Sequence, residues 1–395
     1  MNWQEFEQRF SIQLNEQQKQ AVQTVEGPVL LLAVPGSGKT TVLVTRLGYM
    51  IHCKGIDPRR ILTVTYTVAA TKDMAARFAA KFGPELAEQL EFRTINGICA
   101  KVLQYYGYRT GKTPHQLLND EKRITGILAE IYQRVERVYP TDGDLKNIRT
   151  LITYIKNMML NEDEIEALDE EAECKISVIY REYCSKLKEL QMIDYDDQMV
   201  YAYVMLKKIP WLLAHFQELY PYICVDEAQD TSKIQHAIIA LLAARTENLF
   251  MVGDEDQSIY GFRAAYPEAL LEFEQRHRGA KVLLMEENFR SDANIVAAAD
   301  HFIQKNTLRH EKHMRASRES VQQIKEISVG TRKAQYAYLA KVAEGCTTET
   351  AVLYREHECA LPLIDLLERK EIPYRMRNVE LTFFTHRVVQ DISNI

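Results

Sequence analysis

The sequence predicts an α/β fold: a parallel sheet covered by helices, an inserted helical subdomain and the start of a second α/β unit. Short apolar, β-branched runs alternate with stretches of helical periodicity, which is typical of a parallel sheet. A Gly-rich segment follows the first run, and a long helical interval separates the second run from the third. The predicted strands are Val29–Leu32, Ile61–Thr65, Tyr222–Val225, Leu249–Val252, Val282–Met285 and Ala351–Tyr354.

Composition bounds the class of protein. The chain has 395 residues, 46% hydrophobic and 26% charged, which is ordinary for a soluble protein of about two or three domains. A net charge of −6 argues against a uniformly basic coat for nucleic acid, but it permits a local groove. The seven cysteines form no CxxC pair, as expected of free thiols in a reducing compartment. No membrane-spanning run or secretory signal is found, so we expect a cytoplasmic protein.

The Gly-rich segment predicts a phosphate-binding loop for a nucleoside triphosphate. Its two glycines let backbone N–H groups close round the phosphates, Lys39 adds a positive charge, and the Thr40 hydroxyl can bind Mg²⁺. Ala33 stands where the strict pattern has Gly. The residues assigned to phosphate binding are Gly36, Ser37, Gly38, Lys39, Thr40 and Thr41.

Two carboxylates, Asp226 and Glu227, follow an apolar strand, and ligands of α/β sheets bind at that end of the strands. Asp226 can hold Mg²⁺, and Glu227 can orient and deprotonate an attacking water. Such a pair alone is often only a helix N-cap. Together with the phosphate loop it predicts a hydrolysis site.

The predicted domain limits follow from the helical interval. Apolar side chains recur at helical spacing over 145–159 and again over 176–190, as in the core of a helical subdomain. We therefore predict a nucleotide-binding domain at 1–104 and 196–280, a helical insertion at 105–195 and a partial second domain at 281–395.

Several motifs, in order from about Leu14 to about Tyr374, resemble those of the UvrD/Rep-type superfamily 1 DNA helicases. This resemblance implies a P-loop NTPase with two RecA-like domains, 1A and 2A, a helical 1B insertion, and ATP with Mg²⁺ as ligands. The matching segments beside the phosphate loop are Leu14–Val22, Asp226–Asp230, Val252–Tyr260, Asn288–Ser291 and Ala351–Arg355.

The resemblance also implies roles for individual residues. Gln18 would recognise adenine through its amide, and Phe289 would stack on the same base. Gln229 would sense the nucleotide near the γ-phosphate, and Gln257 would couple the phosphate to the DNA. Arg290 would reach the γ-phosphate across the cleft.

For the DNA track, the family presents aromatic and basic groups on which bases of any sequence can stack. The matching residues are Tyr66, Tyr260, Phe262 and Arg263, so the expected partner is single-stranded DNA or a single-strand/duplex junction; no protein partner is indicated. This chain departs from the family pattern along the track. The departures are Val68 for Asn, Thr94-Ile95-Asn96 for Thr-Phe-His, and Gly261 for a larger residue.

The leading hypothesis is an ATP-dependent 3′-to-5′ DNA helicase or translocase motor. The sequence stops at Ile395, before the family's later motifs, so a product of this length would be expected to hydrolyse ATP poorly and unwind little. One alternative is a nucleotide-regulated DNA-binding module without unwinding activity. Another is an unrelated P-loop kinase or GTPase, which the segment around Gln257 disfavours.

Overall fold

The computed structural model describes residues 1–261 and 264–376. The chain divides into two compact units, one over residues 1–323 and one from residue 324 on. The strands are β1 Val29–Ala33, β2 Ile61–Thr65, β3 Glu91–Thr94, β4 Gln116–Leu117, β5 Met192–Ile193, β6 Tyr222–Val225, β7 Leu249–Gly253, β8 Lys281–Met285, β9 Glu287–Asn288 and β10 Arg315–Ala316. The helices are α1 Trp3–Phe10, α2 Glu16–Gln23, α3 Lys39–His52, α4 Val68–Phe82, α5 Pro84–Ala87, α6 Ile95–Thr110, α7 Glu121–Glu136, α8 Asp142–Met158, α9 Glu162–Glu171, α10 Ile176–Glu189, α11 Tyr195–Lys208, α12 Pro210–Leu219, α13 Lys233–Ala243, α14 Glu268–Leu271, α15 Phe273–Arg276, α16 Ala293–Ile303, α17 Arg332–Glu344 and α18 Leu361–Arg369.

The first unit is built on a parallel sheet in which six of the described strands run in the order β3-β2-β6-β7-β1-β8. Every residue of β1 is buried. Leu30 and Leu32 pack into the core on one face of the sheet, and Val29, Leu31 and Ala33 pack on the other. Burial on both faces explains the continuous apolar run, and the predicted α/β class is confirmed.

All six strands point the same way, so their carboxyl ends meet at one edge of the sheet. Helices α6, α11, α12 and α13 cover one face, and α1 to α4 cover the other. The segments that leave this edge after β1, β2, β6 and β7 are those in which the sequence places its candidate functional residues.

The helical insertion has a core of its own, formed by side chains of α7, α8, α9 and α10. At its base, β4 pairs in parallel with β5. Helix α6 runs unbroken through residue 105, and its Val102 packs in the sheet core. The insertion therefore begins after α6, a few residues later than the predicted start.

The strand Lys281–Met285 corrects one prediction. Sequence analysis placed it at the start of a second unit, whereas in the structure it pairs in parallel with β1 over its whole length. Its Val282 and Leu284 are partly buried against the sheet core. Pairing and packing together therefore place the strand in the first sheet.

Two further elements differ from prediction. The edge strand β3 was missed because Glu91, Phe92, Arg93 and Thr94 have no apolar run. The strand expected at 351–354 has no regular secondary structure. A strand needs a neighbour for its backbone hydrogen bonds, and from residue 324 to residue 376 the described elements are helical.

The second unit is described from 324 to 376 and contains α17 and α18. Ala340 of α17 and Leu363 and Leu367 of α18 form its small core. The remaining residues of the predicted second domain, 377–395, lie outside the described residues.

All seven cysteines lie in the described residues and are free thiols, as predicted. Within those residues, no helix has the length and apolar character required to cross a bilayer.

Candidate functional site

The phosphate loop lies between β1 and α3, as predicted. Gly36 and Gly38 have φ of 72° and 87°, a left-handed conformation that glycine adopts without steric cost. The Ser37 hydroxyl donates to the carbonyl of Val34 at 2.6 Å and so closes the turn from inside. Helix α3 begins at Lys39 without a side-chain cap, so the N–H groups of its first turn are available to an anion.

The segment after β8 lies directly on this loop. The Asn288 amide donates to the carbonyl of Pro35 at 2.7 Å, and the Phe289 N–H donates to that of Gly36 at 3.0 Å. A Cβ on Gly36 would lie 2.8 Å from the Cβ of Arg290. The structure therefore brings the backbone of Phe289 and Arg290 to the loop and leaves both side chains exposed there.

The acid pair lies beside the same loop. Asp226 is buried at the end of β6, and the Glu227 N–H donates to its Oδ1 at 3.0 Å. Glu227 has φ of 49°, and its carboxylate meets the Lys39 ammonium, with Nζ 2.9 Å from Oε2. The predicted phosphate lysine and the predicted base thus form an ion pair.

The pKa values of the two carboxylates of the pair are shifted in opposite directions. Burial raises the pKa of Asp226 to about 6, and the neighbouring charge of Glu227 adds to the effect. Burial, again with Glu227, raises the pKa of Asp230 to about 6. For Glu227, burial is outweighed by the charge of Lys39 and by hydrogen bonds from Gln229 and Lys39, so its pKa lies below the ordinary value. Glu227 is therefore ionised at neutral pH, as a general base must be.

Hydrogen bonds connect the acid pair to the end of β7. The Gln229 amide donates to Glu227 Oε2 at 2.9 Å and accepts from the Asp254 N–H at 3.0 Å. The Gln257 amide donates to Asp254 Oδ2 at 2.6 Å. A continuous chain of contacts therefore runs from Lys39 through Glu227, Gln229 and Asp254 to Gln257, which we call the Lys39–Gln257 chain.

Gln18 lies at the loop but binds protein groups. Its amide donates to the carbonyl of Ser37 at 2.9 Å and accepts from the Asn15 N–H at 3.0 Å. Its own N–H donates to the Asn15 side chain, which completes a capping box for α2. The role of Gln18 in adenine recognition stays a prediction.

The residues proposed for the metal suit Mg²⁺. Thr40, in the first turn of α3, is partly buried, whereas the Thr41 side chain is exposed. In the described part of the chain, no group of three His, Cys, Asp or Glu side chains is arranged to hold a metal by itself. A single carboxylate such as Asp226 with a hydroxyl is the donor set with which Mg²⁺ is bound together with substrate phosphates.

An aromatic pocket adjoins the acid pair. The rings of Tyr66, after β2, and Tyr260, after β7, are stacked, with centroids 6.2 Å apart and planes at 19°. Tyr66, Asn96 and Asp226 are among the residues that line a cavity of about 290 Å³. Tyr66 and Tyr260 are thus brought together, whereas Phe262 and Arg263 lie outside the described residues.

Sequence reasoning missed Tyr195, which lines the same cavity and is 51% exposed. It follows Asp194, the N-cap of α11, and was grouped with the end of the helical insertion. The sequence carries no signal for it, because both its exposure and its place at the cavity follow from the fold. Of the departures from the family pattern, Val68 is 62% exposed and lines the cavity, and the Asn96 carbonyl accepts from Gln198 at 2.8 Å.

The order and geometry of these segments agree with comparisons to known proteins. Residues 14–278 match the family model described as UvrD/REP helicase N-terminal domain, and residues 283–394 match that of the UvrD-like helicase C-terminal domain. The chain is 32% identical over 393 residues to the putative ATP-dependent DNA helicase YjcD of Bacillus subtilis, covering 97% of this chain and 51% of that protein.

Two proteins named ATP-dependent DNA helicase PcrA are similar to a comparable degree. The protein from Staphylococcus epidermidis is 30% identical over 387 residues, covering 96% of this chain and 52% of the relative. That from Leuconostoc citreum is 31% identical over 374 residues, covering 92% and 49%. The chain spans about half the length of these curated relatives. The phosphate loop, the acid pair and both family-model matches lead to one conclusion: the chain belongs to the UvrD/REP helicase family.

Proposed function

We propose that this chain is the motor part of an ATP-dependent 3′-to-5′ DNA helicase or translocase. It would bind ATP with Mg²⁺ at the phosphate loop, and single-stranded DNA or a single-strand/duplex junction at the aromatic pocket. The printed names of its relatives support ATP-dependent action on DNA. The 3′-to-5′ polarity rests on the family resemblance alone, and the cytoplasmic location rests on the sequence.

In the proposed reaction, the Lys39 ammonium leaves Glu227 and contacts the β- and γ-phosphates. The freed Glu227 carboxylate then orients a water and takes its proton, while the water oxygen bonds to the γ-phosphorus and the bond to the bridging oxygen breaks. Mg²⁺, held by Thr40 and Asp226, would spread the developing negative charge. Arg290, exposed beside the loop, would add positive charge at the γ-phosphate.

The base of the nucleotide would be held by Gln18 and Phe289. Gln18 already contacts the loop at Ser37, and a bound adenine would compete for its amide. Phe289 is 39% exposed next to Gly36, so its ring face is available for stacking.

The aromatic pocket would hold DNA bases by stacking, which serves any sequence. Tyr66 and the exposed Tyr195 line the cavity, and the Tyr260 ring stacks on that of Tyr66. Phe262 and Arg263 follow Tyr260 in sequence, and their contribution remains a prediction.

The observation that carries the proposal is the Lys39–Gln257 chain. It begins at the phosphate loop and ends three residues before Tyr260. A ligand that draws Lys39 away from Glu227 changes the first contact of that chain. Nucleotide state can therefore alter affinity at the pocket, which is the differential binding that a translocating motor requires.

The direct test is a double titration of the purified chain with a non-hydrolysable ATP analogue and a single-stranded oligonucleotide. We expect each ligand to change the affinity for the other, and Lys39→Ala to abolish analogue binding and the coupling. The control Lys54→Ala changes an exposed lysine beyond the end of α3 and should leave both intact. Independent affinities in the unaltered chain would refute the motor.

A nucleotide-regulated DNA-binding module without unwinding is the second candidate. The departures at the pocket, Val68 and Asn96, favour it because they alter the DNA side and leave the phosphate loop unchanged. Strong stimulation of ATP hydrolysis by DNA would count against this candidate, and nucleotide binding with negligible turnover would support it.

A further inference from the structure

Three consecutive carboxylates after β7 are gathered round one buried lysine. Lys312 Nζ lies 3.1 Å from Asp254 Oδ1, 2.7 Å from Glu255 Oε1 and 2.9 Å from Asp256 Oδ2. The Lys312 side chain is only 1% exposed. The four residues form what we call the Lys312 cluster, and a charge so deeply buried needs these partners to remain ionised.

Neighbouring residues fix the segment that carries Lys312. The Arg309 guanidinium binds both carboxylate oxygens of Asp256, at 3.0 Å and 2.8 Å, and also donates to the Lys312 carbonyl at 3.1 Å. The His310 N–H donates to Glu255 Oε1 at 2.8 Å. Although burial acts in the opposite direction, the hydrogen bond from His310 and the charge of Lys312 lower the pKa of Glu255 to about 2.

The Lys312 cluster shares one residue with the Lys39–Gln257 chain. Oδ1 of Asp254 contacts the Lys312 ammonium, and its Oδ2 accepts a hydrogen bond from the Gln257 amide. The Asp254 N–H donates to Gln229. Burial raises the pKa of Asp254, and the charge of Lys312 opposes that rise. Without Lys312, Asp254 would lose its charge balance and one of the contacts that orient its carboxylate, while the Asp256 N–H would still donate to Oδ1 at 3.2 Å.

We propose that Lys312, supported by Arg309, is a positioning residue that orients Asp254 and through it Gln257, so that nucleotide and single strand influence each other's binding. This inference rests on the proposed function, because it concerns the residue assigned to coupling.

The test is Lys312→Met, which removes the charge and keeps most of the side-chain volume. The quantity measured is the ratio of oligonucleotide affinities with and without a non-hydrolysable ATP analogue. Allosteric ratios of this kind are typically about 5- to 150-fold. Lys312→Met removes the contact between Lys312 and Asp254. We therefore expect the affinity ratio to fall at least about threefold toward 1.

The matched control is Lys156→Met. Lys156 is also 1% exposed and contacts two carboxylates, those of Asp194 and Asp197, at 2.7 Å and 2.8 Å. Both variants lose a buried cation and should be less stable, which denaturant unfolding measures. Only Lys312→Met should reduce the affinity ratio; because the partners of Lys156 flank Tyr195 at the pocket, any change of oligonucleotide affinity in Lys156→Met should be equal with and without the analogue. An equal reduction of the ratio in Lys156→Met would overturn the proposal, as would an unchanged ratio in folded Lys312→Met.

A second measurement separates this inference from the proposed function. Amide hydrogen exchange of the free protein over 254–258 reports whether the segment is held, with no ligand present. We expect faster exchange there in Lys312→Met and unchanged exchange in Lys156→Met. If the unaltered chain lacked coupling, the proposed function would fail, and the exchange result would still decide whether Lys312 holds Gln257. Unchanged exchange in Lys312→Met would refute the positioning role.

Discussion

The Lys39–Glu227 ion pair is the most informative contact between single residues. It holds Glu227 in its ionised form and places it next to the loop that would receive the phosphates. It also keeps in contact two groups that the proposed reaction would separate. Under that proposal, nucleotide binding would compete with Glu227 for Lys39 and so free the carboxylate to act as the base.

Glu227→Gln tests the base directly. The amide keeps the size of the side chain but cannot accept a proton, so nucleotide binding should persist while turnover falls at least about 100-fold. Single-turnover hydrolysis and analogue titration measure the two effects. Glu247→Gln is the control, since Glu247 is an exposed glutamate that shares the left-handed backbone, with φ of 54°. Unchanged turnover in Glu227→Gln would remove Glu227 from this role.

The raised pKa of Asp226 predicts a pH dependence for metal-nucleotide binding. Only the ionised carboxylate binds Mg²⁺, so affinity should increase as the pH rises through about 6, and each pH unit below that value should cost up to about tenfold. Calorimetric titration of Mg²⁺-nucleotide at pH values from about 5 to about 8 would measure this profile. Asp226→Asn removes this contribution and leaves the nucleotide's own titration. Identical slopes in the two proteins would contradict the assignment of Asp226 as a ligand.

At the scale of elements, the phosphate loop is shaped as much by β8 and its continuation as by β1. Met285, the last residue of β8, accepts from the Val34 N–H at 2.9 Å, and Asn288 and Phe289 then bond to the loop backbone. Gly36 is required here for two reasons, its positive φ and its closeness to Arg290.

Gly36→Ala separates these two reasons when it is compared with Gly55→Ala. Both glycines have positive φ, so each substitution should cost about 1 kcal/mol of unfolding free energy. A Cβ at Gly55 meets nothing within 4 Å, whereas at Gly36 it would lie 2.8 Å from Arg290. We expect only Gly36→Ala to weaken nucleotide binding, because the contact with Arg290 would displace the loop. The expected loss is at least about tenfold in affinity, or about 1.4 kcal/mol of binding free energy. Equal nucleotide affinity in the two variants would show that the close approach is unimportant.

The predictability of each element follows from where its side chains lie. The strands β1, β2, β6 and β7 were found from sequence because burial on both faces demands apolar residues throughout. The edge strand β3 was missed because the strand itself is only partly buried, which permits charged residues such as Glu91 and Arg93. Whether β8 joins the first sheet depends on pairing across distant segments, which local sequence does not encode.

At the scale of the whole molecule, a buried polar junction joins the helical insertion to helices α11 and α13, which cover the sheet. Lys156 of α8 pairs with Asp194 and Asp197 at the start of α11. Asn157, the next residue of α8, accepts from Ser232, the N-cap of α13, at 2.8 Å. The junction therefore links the insertion to the segment that follows the acid pair.

Loss of that junction should be costly. Removing one partner of a buried ion pair typically costs about 3–5 kcal/mol, so Lys156→Met should reduce the unfolding free energy by that order in urea titrations. Arg181→Met is the comparison, because Arg181 pairs with Glu162 and Glu166 on the exposed surface of the insertion, where a pair is worth about 0–1 kcal/mol. Similar losses in the two variants would show that burial of Lys156 is not what stabilises the junction.

The functional site shows the same division between what sequence does and does not encode. The loop and the acid pair were predicted because their residue types and spacing are set by phosphate chemistry, and Gln257 was predicted from the family resemblance; the structure brings them together. Tyr195 and Lys312 were not predicted, since what each lies against, the cavity beside Tyr66 and the carboxylate of Asp254, comes from a distant part of the sequence. Their types alone, one tyrosine and one lysine among many, carry no signal.

The place of β8 in the first sheet governs how this protein can be dissected. A fragment that stopped at residue 280 would remove β8 and leave β1, still paired with β7, as an edge strand, and an exposed, wholly apolar edge strand invites intermolecular aggregation. The same cut would remove Asn288 from the backbone at Pro35. Expression of an isolated ATP-binding fragment should therefore extend through residue 323, and shorter fragments should be recovered as insoluble material.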